Sequence, residues 1–375
     1  MTAAGRHVPP AQCGPTPRAM RLALIGDGES PHLLKWARAL APRVDLWAAS
    51  SRGFLPGFDE VLPAERRLAL GTRPNFEGGN VALLRHLPQL ARWLKAIKPQ
   101  WLHAHYLTSH GTLAWAAQRG FGVQAQIAGS AWGSDILVAP RKAPLRWLTR
   151  RVLQACALTT SDSEHMAQQM RTLGAREVMI LPFGLEAMPP LPERKDDALF
   201  FANRGLEPIY APQRVIELFA AIARRWPAAQ LVVANDGSLR PALQQQVGSL
   251  GLQSRVRFTG RLDAQTQAEH YARARWYLSL PVSDAVSVSV LEAMAHGCVP
   301  LLSDLPANRE LVRSGENGLI VEGADDRLTA TLELLMPRVA DIAQRNRQWV
   351  SEHALFEPAV DRFVQRLDEL TRGKQ

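Results

Sequence analysis

Short apolar runs rich in Val, Leu and Ile alternate along this chain with longer stretches of helical spacing, the pattern of parallel sheets joined by helical crossovers. In the first half, residues 21–25, 44–48, 101–105, 123–128, 158–160 and 178–181 read as strands, and helical periodicity fills 31–41, 81–97, 111–119, 143–155 and 163–172. In the second half the strands are 198–202, 231–234, 256–259, 276–280, 299–303 and 318–321, and an amphipathic helix closes the chain over 358–371. The alternation occurs twice, so it predicts an α/β protein of two Rossmann-like, doubly wound parallel-sheet domains facing a cleft. Ligands of such sheets bind at the strand C-terminal ends. Prolines 182, 189, 190 and 192 with a mixed charge cluster mark a linker. The expected organisation is a flexible leader over 1–19, domains over 20–190 and 191–355, and a C-terminal helix over 356–375 placed to pack back on the first domain.

Composition changes this picture little. The chain has 375 residues, 46% hydrophobic and 21% charged, enough to bury two cores and too apolar for extensive disorder. No window approaches the roughly 18 uninterrupted apolar residues of a membrane span, and the proline-rich start lacks a signal core. Three widely spaced cysteines, without a CxxC pair, suggest neither a disulfide framework nor a zinc site, and fit a cytoplasmic protein. Charge does add something. Residues 1–190 hold 22 Lys+Arg against 12 Asp+Glu, whereas 191–375 hold 22 against 23. An anionic partner for the first half is one reading, the inner face of the cell membrane among them; a generally basic solvated surface is the other.

The clearest candidate chemistry lies between Ser283 and Pro300. Strong helix formers from Leu291 to Ala295 follow a strand, and Gly297 supplies the stop. A helix beginning near Ser287 would offer free N–H groups at Ser287, Val288 and Ser289 to a diphosphate. Asp284 would stand at the mouth and Glu292 one to two turns inside. Val286 to Val290 also alternates with serine, so a half-buried strand is the competing reading.

The run SDAVSVSVLEAMAHGCVPLLSDLPANREL with the following SGENGLIV resembles the donor-binding signature of the retaining family 4 glycosyltransferases of GT-B fold. Upstream, GRLDAQTQAEHYARARWYLSLPVSD and QLVVANDGSLRPAL resemble the elements preceding that signature. In the first half LIGDGESPHLLKWARALA, WLHAHY and SAWGSDIL resemble three further family segments. The resemblance covers roughly residues 21–322. It implies a metal-independent hexosyltransferase that needs no cofactor and moves a sugar from a nucleoside diphosphate, UDP preferred to GDP, to a hydroxyl of a glycan or lipid-linked acceptor with retention. It places the family's two acidic residues on Asp284 and Glu292, the latter a bidentate hold for ribose hydroxyls. Asp284 stands where many members have Glu, and its reach is shorter. Arg204 matches the family's diphosphate arginine, while the lysine expected nearby is absent and Tyr210 stands near its position; Lys195 is close in sequence but aligns with no such role. By the same resemblance His105 faces the donor sugar, Gly237 lies in the nucleotide-domain turn, and Asp135 contacts an acceptor hydroxyl.

Other residues carry weaker signals. Gly26, Asp27 and Gly28 form a strand-to-helix turn where backbone N–H groups can meet a ligand, without the GxGxxG spacing of a dinucleotide site. His103 and His105 share one strand face, but no third residue at ligand spacing supports a metal. Arg141 to Leu153 is basic, aromatic and amphipathic, suited to a membrane interface or to packing on its own domain; no nucleic-acid module accompanies it. Two rivals stand beside the transferase: a nucleotide-sugar epimerase of the same fold, and a non-catalytic nucleotide-binding protein whose donor site has decayed.

Overall fold

The computed structural model describes residues 19–72, 81–322 and 326–373. Apart from its last residue, the expected leader lies outside these. Among the described residues, strands β1 (Arg21–Gly26), β2 (Asp45–Ser50), β3 (Arg67–Ala69), β4 (Trp101–His105), β5 (Gln126–Ser130), β6 (Leu158–Ser161) and β7 (Val178–Ile180) form one sheet in the order β3-β2-β1-β4-β5-β6-β7. Every pairing in it is parallel. A second parallel sheet holds β8 (Asp196–Ala202), β9 (Gln230–Ala234), β10 (Val256–Gly260), β11 (Ala274–Ser279), β12 (Val299–Ser303) and β13 (Leu319–Val321), ordered β10-β9-β8-β11-β12-β13. In both, the strand order reverses beside the first strand of its half, the switch point at which such sheets open a crevice.

Helices α1 (Pro31–Leu40), α2 (Leu87–Ile97), α3 (Thr112–Phe121), α4 (Ser134–Leu137), α5 (Ala143–Ala155) and α6 (Glu164–Thr172) belong to the first sheet. Helices α7 (Pro212–Arg225), α8 (Arg240–Ser249), α9 (Ala264–Arg273), α10 (Val288–Ala295), α11 (Pro306–Leu311), α12 (Asp326–Leu335) and α13 (Val339–His353) follow in the second half. The helix expected over 81–97 divides into a 3-10 segment, Val81–His86, and α2, because Pro88 lacks an N–H and is accommodated only in a first turn. The fifth strand runs later than expected, and β3 was not anticipated at all: its three residues carry no alternation.

The final helix, α14 (Phe356–Arg372), returns to the first sheet. Phe356, Val360, Phe363 and Leu367 are fully or almost fully buried in one cluster with Leu22, Leu24, Trp36 and Trp101. Each such side chain contributes about 1.5–3 kcal/mol when withdrawn from water. Trp101 Nε1 donates to Thr371 Oγ1 at 2.9 Å, and Arg366 pairs with Glu177 at 2.6 Å. The two passages between the halves lie side by side, with Leu185 N donating to Ala354 O (2.9 Å) and Phe356 N to Leu185 O (2.8 Å). Gly184 is required there: a Cβ would stand 2.0 Å from the Ala354 carbonyl oxygen.

Candidate functional site

Ser283 to Ser287 is loop, and α10 starts at Val288. The strand alternative for this run is therefore set aside: Val290, Leu291 and Met294 are completely buried on helical spacing, and Gly297, at φ +76°, terminates the helix. Ser287 occupies the N-cap position yet makes no capping hydrogen bond; its hydroxyl instead accepts from Arg204 Nη1. The first turn of α10 thus keeps its N–H groups uncapped by that side chain.

Arg204 follows the C-terminal end of β8 and reaches the loop before α10. Its Nη2 donates to Asp284 Oδ2 at 2.7 Å, its guanidinium carbon lies 4.5 Å from the Tyr210 ring centroid, and its Nε has no partner among the described residues. Burial raises the Asp284 pKa above the ordinary carboxylate value, and the Arg204 charge opposes the rise. The shorter acid is thus held by the arginine expected to meet a diphosphate. Tyr210 provides an aromatic floor beneath that arginine rather than a second cation.

Glu292 is fixed by a network that sequence reading did not reveal. Its Oε2 accepts from Tyr271 Oη (3.0 Å) and Gln267 Nε2 (3.2 Å); Asn203 donates to Tyr271 Oη (2.8 Å) and accepts from Tyr277 Oη (2.8 Å). Side chains from β11, α9 and the end of β8 therefore hold one carboxylate on α10. Burial raises the Glu292 pKa, against the Tyr271 hydrogen bond and the Lys35 charge. Glu292 and Val288 border an interdomain cavity of about 460 Å³ that Lys35 and Leu185 line from the other side. A depression of about 590 Å³ at the opposite, N-terminal ends of β8–β10 contains none of these groups.

Lys195 does not supply the missing cation. Its ammonium donates to the carbonyls of Tyr271, Ala272 and Ala274, closing the C-terminal end of α9. Gly237 permits close approach of two loops, since a Cβ there would lie 2.4 Å from Leu206 O.

The first-domain candidates separate. A Cβ on Gly28 would lie 2.5 Å from Gly53 O, and on Gly26 2.4 Å from a Leu33 methyl, so these glycines serve turn packing; Asp27 pairs with Arg52 at 2.9 Å. Asp135, expected to contact an acceptor, is 2% exposed, and its carboxylate accepts from Leu107 N and Trp132 N, both at 2.9 Å. His105, also 2% exposed, packs against His103, Trp36 and Trp132, and its Nε2 has no partner among the described residues. Burial, then the neighbouring His103, His110 and His32, hold its pKa well below the ordinary value, so the ring is neutral.

Hydrogen bonds also cross the cleft. Asp162, just after β6, accepts from Val286 N in the loop before α10 (3.1 Å), and Glu310 on α11 accepts from Glu164 N and His165 N at the start of α6 (2.8 and 2.6 Å). Burial pushes the Asp162 carboxyl up to about 7.

Facing sheets with a polar, arginine-bearing helix start at their switch point define a two-domain GT-B enzyme. Residues 21–163 match the family described as "Glycosyl transferase 4-like" and residues 196–336 that of "Glycosyl transferases group 1". The chain belongs to the family 4 glycosyltransferases. It is 23% identical over 319 residues to the phosphatidyl-myo-inositol mannosyltransferase of Mycobacterium leprae, covering 82% of each chain. It is 28% identical over 157 residues to the alpha-monoglucosyldiacylglycerol synthase of Streptococcus pneumoniae, a match spanning 42% of this chain and only 34% of that protein. The structure of Anabaena Alr3699/HepE in complex with UDP shares the fold, with a TM-score of 0.73 at 14% identity over 93% of this chain and 100% of that one.

Proposed function

We propose that this glycosyltransferase moves a hexose from a nucleoside diphosphate sugar, UDP-linked in preference to GDP-linked, onto a hydroxyl of a cell-envelope glycan or glycolipid, with retention of configuration. The observation that carries this reading is the Arg204–Asp284–Ser287 cluster at the start of α10 with Glu292 one turn further in. Glu292 takes the ribose hydroxyls through the carboxylate that Tyr271 and Gln267 orient. Arg204, released from Asp284, and the first N–H groups of α10 carry the charge that develops on the departing diphosphate, so no metal ion or cofactor is required. Asp284 then turns to the donor sugar, where His105 supplies an uncharged hydrogen-bonding ring. The UDP preference draws on the UDP complex of the Anabaena neighbour, and the acceptor class on the lipid substrates in the names of the bacterial relatives.

The enzyme works in the cytoplasm against the inner membrane face. No helix among the described residues is long and apolar enough to cross a membrane. Helix α5 buries Thr149, Val152 and Leu153 in its own domain while Trp147 stays 56% exposed among arginines, a face suited to anionic headgroups.

The test is a thermal-shift titration with UDP, GDP, ADP and CMP, with and without EDTA, on the wild type and Glu292→Ala. Stabilisation by UDP that ignores EDTA and is lost in the variant is expected. Absence of stabilisation by every nucleotide sinks the donor assignment, and binding without any glycosyl transfer favours a decayed site.

A further inference from the structure

Tyr106 is the first residue after β4 and has φ +61°, a left-handed conformation that is strained for a bulky side chain. A π-helical turn, Tyr106–Gly111, follows immediately. Such backbone persists where the surroundings over-determine it, and it occurs here at a strand C-terminal end facing the cleft. The side chain is only partly buried: Tyr106 remains 40% exposed. Its ring stacks on Trp132, centroids 5.6 Å apart and planes 15° from parallel. Trp132 is itself backed by His32, His105 and Phe183. The phenol feels Asp135, Asp27 and, from the second domain, Tyr210; with burial as the larger cause, its pKa is pushed up to about 12. Tyr106 therefore stands on the first sheet immediately after β4, with its ring stacked on Trp132 and part of it open to solvent.

We propose that Tyr106, stacked on Trp132, is an acceptor subsite for a pyranose ring, so that the acceptor hydroxyl belongs to a saccharide rather than to an unglycosylated lipid. This rests on the transferase reading above. A flat aromatic pair with one exposed member matches the apolar C–H face of a sugar ring, and the phenol adds a hydrogen-bond donor at its edge. The strained backbone fixes the ring's direction, and a flexible loop tyrosine would forfeit more entropy on binding.

Saturation-transfer NMR with methyl glucoside, galactoside and mannoside, in the presence of saturating UDP-glucose, tests this on wild type, Tyr106→Phe, Tyr106→Ala and Tyr106→Gly. Wild type and Phe are expected to give ring-proton signals with at least one glycoside, and Ala and Gly to lose them five-fold or more. Gly should melt no lower than Ala, because both lack the ring and only Gly is at ease at positive φ. Absence of signal from every glycoside on the wild type, or an undiminished signal in Ala, overturns the proposal. Displacement of the glycoside by UDP-glucose also overturns it, by placing the ring at the donor sugar. A UDP-induced Tm shift run on the same samples keeps failure of the donor site distinguishable from failure of this subsite.

Discussion

Asp162 should set a pH dependence that a single substitution removes. Its carboxyl lies at the domain interface, accepts from Val286 N at 3.1 Å, and has Oδ1 buried without a partner among the described residues. Burial, with the charges of Asp284 and Asp135, raises its pKa from 3.8 to about 7, against hydrogen bonds from Ser163 and Val286. Because the folded value lies above the unfolded one, the folded chain binds the extra proton. The stability associated with that proton is complete below about pH 4 and is lost as pH rises to about 7. Each pH unit is worth about 1.36 kcal/mol, so the span caps the penalty at about 4 kcal/mol. Asp162→Asn keeps an acceptor for Val286 and has no charge to desolvate. Denaturant midpoints of both proteins from pH 4 to pH 8 should show the Asn variant gaining on the wild type up to about pH 7 and then holding level. A difference that does not change with pH, or an Asn variant less stable above pH 7, refutes the argument, since the carboxylate would then be stabilised where it sits.

Arg204→Ala should lower kcat by about 10²–10³-fold with a smaller change in donor KM, because the charge it meets grows as the diphosphate leaves; steady-state kinetics decides, and an effect confined to KM contradicts the role. Lys195→Met should cost about 1–3 kcal/mol in denaturant unfolding by leaving three carbonyls at the end of α9 unmet, with kcat unchanged. Gly184→Ala should cost about 1–3 kcal/mol, read as a lower Tm, because its Cβ meets the Ala354 carbonyl oxygen at 2.0 Å.

What could be read in advance follows the range of the interactions. The strands from Trp101 and Val299 and the α10 helix were legible because burial on one spacing runs through consecutive residues. Asp284, Ser287 and Arg204 were legible as candidates, and their proximity as a resemblance. The Asn203–Tyr271–Tyr277 network was not, since its members lie on three segments and no periodicity links them. His105 was read correctly as a strand-end residue, but its burial depends on Trp36 and Trp132 from distant segments. The left-handed Tyr106 left no trace at all, because local preference argues against a tyrosine there and only tertiary contacts impose it.

The division of the site between two sheets has a mechanical consequence. Glu292, Arg204 and Asp284 stand on the second sheet, and Tyr106, His105 and Lys35 on the first, so their spacing depends on how the halves meet. At the linker side that meeting is anchored by paired backbone at Leu185 and Leu355 and by α14 buried against the first sheet. At the cleft it rests on the hydrogen bonds of Asp162 and Glu310, each worth about 0.5–3 kcal/mol net. The weaker contacts break first. A relative movement of the halves would therefore begin at the cleft and turn about the linker, changing the distance between Glu292 on the second sheet and Lys35 on the first.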